Sequence, residues 1–170
     1  MADPNFSTTV TLICEHNDEG ALGIIINRPL NLTLAGLFEQ LSVDDVDPAA
    51  ASNPVMSGGP VGIERGFVLH DKDHNFENTL AVSDDIQLTF SRDVIDAMAL
   101  GNGPQKSLVA IGYAGWEPGQ LEAEMLANSW LSVAATPELV FDTPFDVRWD
   151  SEARLLGIDM ASISPDAGHA

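Results

Sequence analysis

The sequence predicts an α/β (α+β) domain built on a mixed β-sheet. Two observations support this class: the number of short strand-like runs, and the helix-like segments that lie between them. At least six short runs of β-branched and apolar residues are interspersed with about four segments that carry apolar residues at helical spacing. The 170 residues show no repeat, linker or break in composition. Residues 1–170 are therefore expected to form a single domain around one core.

The first third of the chain predicts a hairpin followed by a helix. Strands are expected at residues 8–14 and 21–27, because both runs are apolar or β-branched and a polar turn separates them. A short helix is expected at 34–41, with Thr33 as its N-cap. The acidic, alanine-rich stretch 42–53 is expected to be a mobile surface loop.

The middle of the chain is rich in short strands. Four more are expected, at residues 54–56, 66–70, 80–82 and 86–90. A helix is expected at 92–100, since Ser91 is a suitable N-cap and Gly101 is typical of a helix C-terminus.

A strand, glycine loop and helix are then expected at 107–111, 112–119 and 120–129. This order suits anion binding at a helix N-terminus. However, the glycine spacing matches neither a dinucleotide fingerprint nor a P-loop, and Glu117 would repel phosphate. No nucleotide or other cofactor is therefore expected. A short strand at 130–133, a helical turn at 136–138, a last helix at 145–156 and a tail complete the prediction.

The charge and the cysteine content limit the function classes. A net charge of −19 disfavours direct binding to nucleic acid or to an anionic membrane, and favours cationic or protein partners. Cys14 is the single cysteine, so no internal disulfide can form, which fits a reducing compartment. The N-terminus has no signal-peptide pattern and no apolar run is long enough to cross a bilayer, so a cytoplasmic protein is expected.

Several segments spread over nearly the whole chain carry a family resemblance. They are Asp3-Pro4-Asn5-Phe6, Cys14-Glu15-His16-Asn17, Ile26-Asn27-Arg28-Pro29, Gly58-Gly59-Pro60-Val61, Arg65-Gly66-Phe67-Val68-Leu69-His70, Gly112-Tyr113-Ala114-Gly115-Trp116, Gly119-Gln120-Leu121-Glu122, Asn128-Ser129-Trp130-Leu131, Arg148-Trp149 and Ala167-Gly168-His169-Ala170. With these segments the chain resembles the AlgH/YqgE family of bacterial proteins. The resemblance implies a bifurcated sheet that is partly closed into a small barrel and surrounded by about four helices.

The same resemblance says little about biochemistry. Members are often described as transcriptional regulators, and no activity follows from the motifs. Members usually carry a further stretch with an apolar strand ahead of the Asp-Pro-Asn-Phe segment, whereas Met1 here stands just before Ala2. Either this chain does without that strand or its start was assigned too late. A missing strand would leave its neighbour with an exposed edge.

Cys14 and His16 form the first candidate site. At positions i and i+2 of a strand they are expected on one face, where an imidazolium would lower the thiol pKa. That pair could begin a nucleophile–base arrangement, with Asn27 lying across the hairpin. The alternative is a small buried cysteine beside a hydrogen-bonded histidine, and no complete catalytic set is visible.

The second candidate is an anion site. The Ser57-Gly58-Gly59-Pro60 turn could present backbone N–H groups, with Arg65 or Arg28 binding a carboxylate or phosphate. The alternative is a plain turn with structural arginine–carboxylate pairs.

Two polar residues in the C-terminal half are further candidates. Asn128 is expected on the apolar face of its helix, where it could bind a ligand or tie down a loop. His169, in the C-terminal tail, could fold over a cleft or lie in solvent. The histidines of the His70–His74 stretch lie at a strand end rather than on a helix, so no metal site is expected.

These features lead to one main functional hypothesis and two alternatives. The main one is a cytoplasmic protein that binds an unknown protein or a small anionic ligand and acts indirectly on gene expression. The first alternative is a small enzyme or redox-sensitive protein that uses Cys14 with His16. The second is an assembly module that pairs an exposed sheet edge with another subunit. The oligomeric state stays open.

Overall fold

The computed structural model describes residues 9–43, 46, 48–51, 53–72 and 74–148. Eight strands of this part form the sheet: β1 (Thr11–Asn17), β2 (Gly20–Ile25), β3 (Pro29–Thr33), β4 (Pro54–Ser57), β5 (Val61–His70), β6 (Thr79–Ala81), β7 (Gln87–Thr89) and β8 (Ser107–Trp116). Four α-helices accompany them within the same residues: α1 (Leu34–Gln40), α2 (Pro48–Ala51), α3 (Arg92–Ala99) and α4 (Gln120–Leu126). A π-helical turn spans Glu138–Asp142.

The sheet is organised around β8, which has different neighbours along its two edges. One edge pairs antiparallel with β5. The other edge pairs in parallel with β4 at Ala110 and Ile111, and then antiparallel with β2 from Ala114 to Trp116. The main path through the sheet is β1-β2-β8-β5-β7-β6, and β3 joins through β4. The sheet is thus mixed and bifurcated, as the resemblance implied.

Glycines make the bifurcation possible. Gly112 has a φ of 79°, and a Cβ there would lie 2.4 Å from the Gly59 carbonyl oxygen. A Cβ on Gly59 would in turn lie 2.1 Å from the Tyr113 carbonyl carbon. The turn after β4 fills the gap between the β4 and β2 branches. The Gly58 N–H donates to the Ile111 carbonyl at 2.8 Å, and the Gly58 carbonyl accepts from the Ile25 N–H at 2.8 Å.

The sheet curls until it nearly closes into a barrel with an apolar interior. Leu12, Ile24, Leu69, Leu88 and Leu108 come from five different strands and share this interior core. A second core lies on another face, where Phe38 of α1 and Val94 of α3 pack with strand residues such as Val68 and Val109. Apolar burial on two faces explains why the inner strands β2 and β8 are nearly continuous apolar runs.

Most predicted elements are confirmed, including the hairpin, α1, α3 and the four middle strands. Thr33 caps α1 as predicted, since its Oγ1 accepts from the Gly36 N–H at 3.4 Å. Ser91 stands at the N-cap of α3 but makes no capping bond. Its hydroxyl donates to the Asp93 carboxylate at 2.5 Å instead, and Asp93 accepts from Val94 N–H at 3.1 Å.

Several boundaries were wrong. The predicted glycine loop 112–119 is largely strand, because β8 continues to Trp116 through the left-handed Gly112. The strand β3 was not predicted, and the stretch 42–53 contains the short helix α2 rather than loop alone. Residues 130–133 form no regular strand. Of the predicted helix 145–156, residues 149–156 lie outside the described part of the chain.

We predict that Gly112→Ala destabilises the fold by at least about 2 kcal/mol, because a Cβ would strain the positive φ and meet the Gly59 carbonyl. Gly66→Ala is the matched control, since Gly66 pairs with Ile111 of the same β8 and a Cβ there has nothing within 4 Å. We expect it to change stability by only about 0.5 kcal/mol. Urea unfolding measures the stability of both variants. Equal losses of stability in Gly112→Ala and Gly66→Ala would contradict the role given to Gly112.

Candidate functional site

One surface depression is a groove of about 620 Å³, which we name the α4 groove. Its walls are β1 from Thr11 to Ile13, one side of α4, and the irregular segment 130–133, with Trp116 also lining it. The volume is in the range of small-molecule or peptide pockets. Met125, Leu126 and Leu131 line it and are exposed, Leu126 at 86%. The groove therefore presents an apolar surface to solvent.

Two tryptophans at the base of the groove are held by one carboxylate. The Trp116 and Trp130 indole N–H groups donate to the same Glu124 Oε2, at 2.7 and 2.8 Å. Their rings meet edge to face, with centroids 5.8 Å apart. Buried indoles need an acceptor for their N–H, and Glu124 supplies it from α4 for both. The carboxylate thereby fixes α4 and the 130–133 segment against β8.

A hydrogen-bonded pair of side chains, His16 and Glu122, stands at the rim of the groove. The His16 Nε2 donates to the Glu122 carboxylate at 2.6 Å, and both side chains are more than 40% exposed. The Glu122 backbone N–H, and then the His16 ring, lower the pKa of the Glu122 carboxyl. This pair joins the end of β1 to α4 and adds charge beside an otherwise apolar surface.

Cys14 and His16 do not share a face, so that prediction was wrong. The pairing register of β1 with β2 shifts by one residue between Ile13 and Glu15, which marks a β-bulge at Cys14. Cys14 therefore joins Leu12 in the barrel core, whereas His16 joins Ile13 on the α4 groove side. The structure brings His16 to Glu122, a residue 106 positions away, rather than to the thiol.

The surroundings of Cys14 are those of a buried apolar residue. It is 5% exposed, and its Sγ donates to the Leu12 carbonyl at 3.5 Å. Burial raises the pKa of the Cys14 thiol to about 12. A thiolate is the reactive form, so the thiol is kept in its unreactive state at neutral pH.

Asn128 ends α4 instead of lying on its apolar face, so that placement was also wrong. Its φ is 57°, its N–H donates to the Met125 carbonyl at 3.1 Å, and the next N–H, of Ser129, donates to Glu124 at 3.0 Å. These two bonds form a Schellman motif, in which asparagine can take the left-handed position that glycine usually occupies. The Asn128 side chain is exposed.

Two residues of the predicted anion site, Gly58 and Gly59, have structural positions within the sheet. Gly58 uses its N–H and carbonyl in the sheet junction, and Gly59 packs against the Tyr113 backbone. Arg65 lies in the exposed half of β5, and the Arg28 carbonyl accepts from Ser57 N–H at 2.7 Å. Asn27 Oδ1 accepts from Val10 N–H at 2.8 Å, which extends the hairpin pairing.

His70 has a structural position beside β7. It is fully buried, its Nδ1 donates to the Asp71 carbonyl at 2.6 Å, and its Nε2 lies 2.7 Å from the Thr89 hydroxyl. Burial lowers the pKa of His70. Among the described residues, no group of three His, Cys, Asp or Glu side chains is placed to hold a metal. His169 lies outside the described residues.

Comparison with known proteins now decides the family. A sequence model of the AlgH-like family matches residues 1–161. The chain belongs to the AlgH-like family. Related bacterial proteins include UPF0301 proteins from Thiobacillus denitrificans and Nitrosococcus oceani, 50% and 49% identical over 170 residues. These matches cover all of this chain and 91% of each relative.

Solved structures agree with this AlgH-like assignment. The solution structure of the AlgH protein from Pseudomonas aeruginosa has a TM-score of 0.80 at 46% identity, and covers 100% of this chain and 90% of that one. A crystal structure of a Corynebacterium diphtheriae protein has a TM-score of 0.67 at 19% identity, covering 91% and 81%. The second likeness shows the fold alone. No described helix is long and apolar enough to cross a membrane.

Sequence reasoning found one residue of the α4 groove, His16, and missed its main features. Glu124, Trp130 and Leu126 were not named as site residues. A signal was available: two tryptophans flank a seven-residue helix, and each buried indole needs an acceptor nearby. Asn128, two residues after Leu126, also marked the helix end, which leaves Leu126 and Met125 at a terminus rather than in a core stripe.

We predict that Cys14 in the native protein reacts with iodoacetamide far more slowly than a free thiol, with a rate that still rises above pH 10. The reason is the buried thiol, whose pKa is raised to about 12. Reaction in urea should return to the ordinary profile. His16→Gln tests whether His16 activates the Cys14 thiol, and we expect it to leave the rate of the native protein's reaction with iodoacetamide unchanged. A rate that levels off below pH 8, or that falls in the variant, would contradict this.

Proposed function

We propose that this protein is a binding protein whose ligand or protein partner places an apolar group in the α4 groove. The observation that carries the proposal is the groove itself, an apolar depression of about 620 Å³ with exposed Met125, Leu126 and Leu131 in its wall. Contiguous exposed apolar surface on a folded domain is typical of a binding site. The indoles below are anchored by Glu124, so the groove is preformed.

We further propose that the protein works in the cytoplasm and affects gene expression indirectly, through that partner. The net charge of −19 opposes direct contact with DNA phosphates. The single cysteine fits a reducing compartment. A catalytic role for Cys14 with His16 gains no support, because the bulge separates the two side chains and Cys14 is buried.

The groove is tested with Nile red, a neutral dye that becomes fluorescent in apolar surroundings. We predict binding to the native protein, and at least about tenfold weaker binding to Leu126→Glu, since a carboxylate would have to be desolvated beside the dye. Leu100→Glu is the matched control, because Leu100 is also exposed, at 64% against 86%, but lies at the end of α3.

Both variants change exposed positions, so their urea unfolding should stay within about 0.5 kcal/mol of the native protein. The proposal fails if the native protein does not increase the fluorescence of Nile red. It also fails if the two variants weaken binding equally, which would indicate general surface adsorption rather than the α4 groove.

The indirect route predicts no tight complex with DNA. In a filter-binding or gel-shift assay at about 150 mM salt, we expect no binding to a pool of random DNA duplexes or to the DNA upstream of the protein's own gene. The reason is that the chain has few basic side chains to release counterions from DNA. A defined duplex bound at nanomolar concentration, with affinity falling steeply as salt rises, would show direct regulation instead.

A further inference from the structure

A chain of hydrogen bonds runs from the end of β5 to the turn before β6. The His70 Nδ1 donates to the Asp71 carbonyl at 2.6 Å, and its Nε2 lies 2.7 Å from the Thr89 hydroxyl of β7. The Thr89 hydroxyl lies 2.8 Å from the Thr79 hydroxyl of β6, which accepts from the Phe76 N–H at 3.1 Å. The bonds therefore join three strands to one turn through a single imidazole ring.

The partners of His70 determine which ring nitrogen carries the proton. A carbonyl oxygen only accepts hydrogen bonds, so the proton lies on Nδ1, and Nε2 of a neutral ring is free to accept from the Thr89 hydroxyl. The ring is fully buried, and Phe76 meets it edge to face with the centroids 5.5 Å apart. Burial disfavours a charged ring, so this arrangement is that of neutral His70 in its Nδ1–H tautomer.

The charged groups around the ring do not offset its loss of hydration. Desolvation, the largest effect, lowers the pKa of His70; the bond to the Asp71 carbonyl and the Asp71 carboxylate raise it, and His74 lowers it. The net direction is downward. The residues paired with His70 on β7 and β8 are Gln87 and Ser107, which carry no charge. A protonated ring is therefore disfavoured while this site is closed.

Residues 74–79, which we name the Phe76 segment, pack over the ring and are attached to α3. The Glu77 N–H donates to the Asp93 carboxylate at 2.8 Å, and the Asn78 N–H donates to the Ser91 hydroxyl at 3.2 Å. Ser91 is the N-cap residue of α3, and Asp93 lies in its first turn. Side chains of β6, β7 and α3 thus hold this segment in place, and displacing it would hydrate the buried imidazole.

From this hydrogen-bond chain we infer that His70 is a pH-sensitive switch: the neutral ring holds the Phe76 segment against β6 and β7, and protonation of the ring releases the segment. Reversing the two threonine hydroxyls would redirect hydrogen bonds but leave a charge buried, which is costly. Releasing the segment lets water hydrate the imidazolium. The inference is independent of the proposed function, because none of these residues lines the α4 groove.

The direction of the pH effect follows from the lowered pKa of His70 in the closed form. In the open form the ring has its ordinary pKa of 6.5 and binds the proton first as the pH falls. The closed form is therefore fully stable above about pH 6.5 and loses stability below it, until the pKa of the closed form is reached. In that range the opening constant rises by up to about tenfold per pH unit.

The carboxylate that holds the segment to α3 does not titrate in the same range. Desolvation opposes ionisation of Asp93, but hydrogen bonds from the Ser91 hydroxyl and the Glu77 N–H outweigh it and hold the pKa of the Asp93 carboxyl below its usual value. Asp93 therefore stays charged between pH 7 and pH 5, and release in that range depends on His70.

Amide hydrogen exchange tests the switch. We expect the protection factors of the Phe76, Glu77 and Asn78 amides, corrected for intrinsic exchange, to fall about fivefold or more from pH 7 to pH 5. They should stay below the protection factor of the Ile25 amide, which donates to Gly58 inside the sheet. Equal protection of the segment and Ile25 would overturn the inference, because only global unfolding would then expose the segment.

Two histidine variants assign the pH effect to one ring. His70→Gln should leave protection of the Phe76 segment nearly independent of pH over this range. His74→Gln is the matched control, since His74 also titrates and its ring stacks on Phe76 with centroids 6.2 Å apart. We expect it to keep the pH dependence. Loss of the dependence in His74→Gln, or its persistence in a folded His70→Gln, would contradict the switch.

Nitrogen NMR of the native protein decides the question even if His70→Gln does not fold. We expect the Nδ1–H tautomer of His70 at pH 7.5 and a titration of its ring below pH 6.5. An Nε2–H tautomer, or a His70 pKa at or above 6.5, would overturn the inference. So would a ring that titrates while protection of the Phe76 segment stays constant, because the hydroxyls would then reverse within the closed form.

Discussion

The close contact between the Gly58-Gly59 turn and β8 is the constraint on which the other features of this structure depend. A strand normally has one neighbour on each edge, but β8 has β4 and then β2 on the same edge. The two branches diverge, and the backbone polar groups in the gap need partners. Gly58 supplies them for Ile111 and Ile25 at 2.8 Å. Only a residue without a Cβ can approach so closely, and Gly112 meets Gly59 in the same way.

The α4 groove follows from this bifurcation. The β2 branch carries the β1–β2 hairpin away from β4, and α4 then covers only part of the exposed face of that hairpin. The bulge at Cys14 turns His16 towards α4, where it pairs with Glu122. The hairpin is thereby tied to the helix at the rim, while the space between Ile13 and Leu126 stays open as the groove.

The sequence was informative wherever local chemistry decides the structure. Apolar runs between polar turns identified the hairpin, and Thr33 identified the start of α1. The bulge at Cys14 could not be found in this way, because a register shift depends on the partner strand and no glycine marks it. The continuation of β8 through Gly112 was not predicted for the same reason. Glycines in a sequence suggest a loop, whereas here they allow two backbones to touch. His16 was predicted as a site residue, but with Cys14 as its partner, which lies on the other face of β1.

Charge and apolar exposure in this protein are best understood together. Exposed Leu126, Met125 and Leu131 would favour self-association in a neutral protein. A charge of −19 opposes that, since two copies repel each other. The indoles fixed by Glu124 keep the groove shaped while it is empty, which lowers the ordering cost of binding.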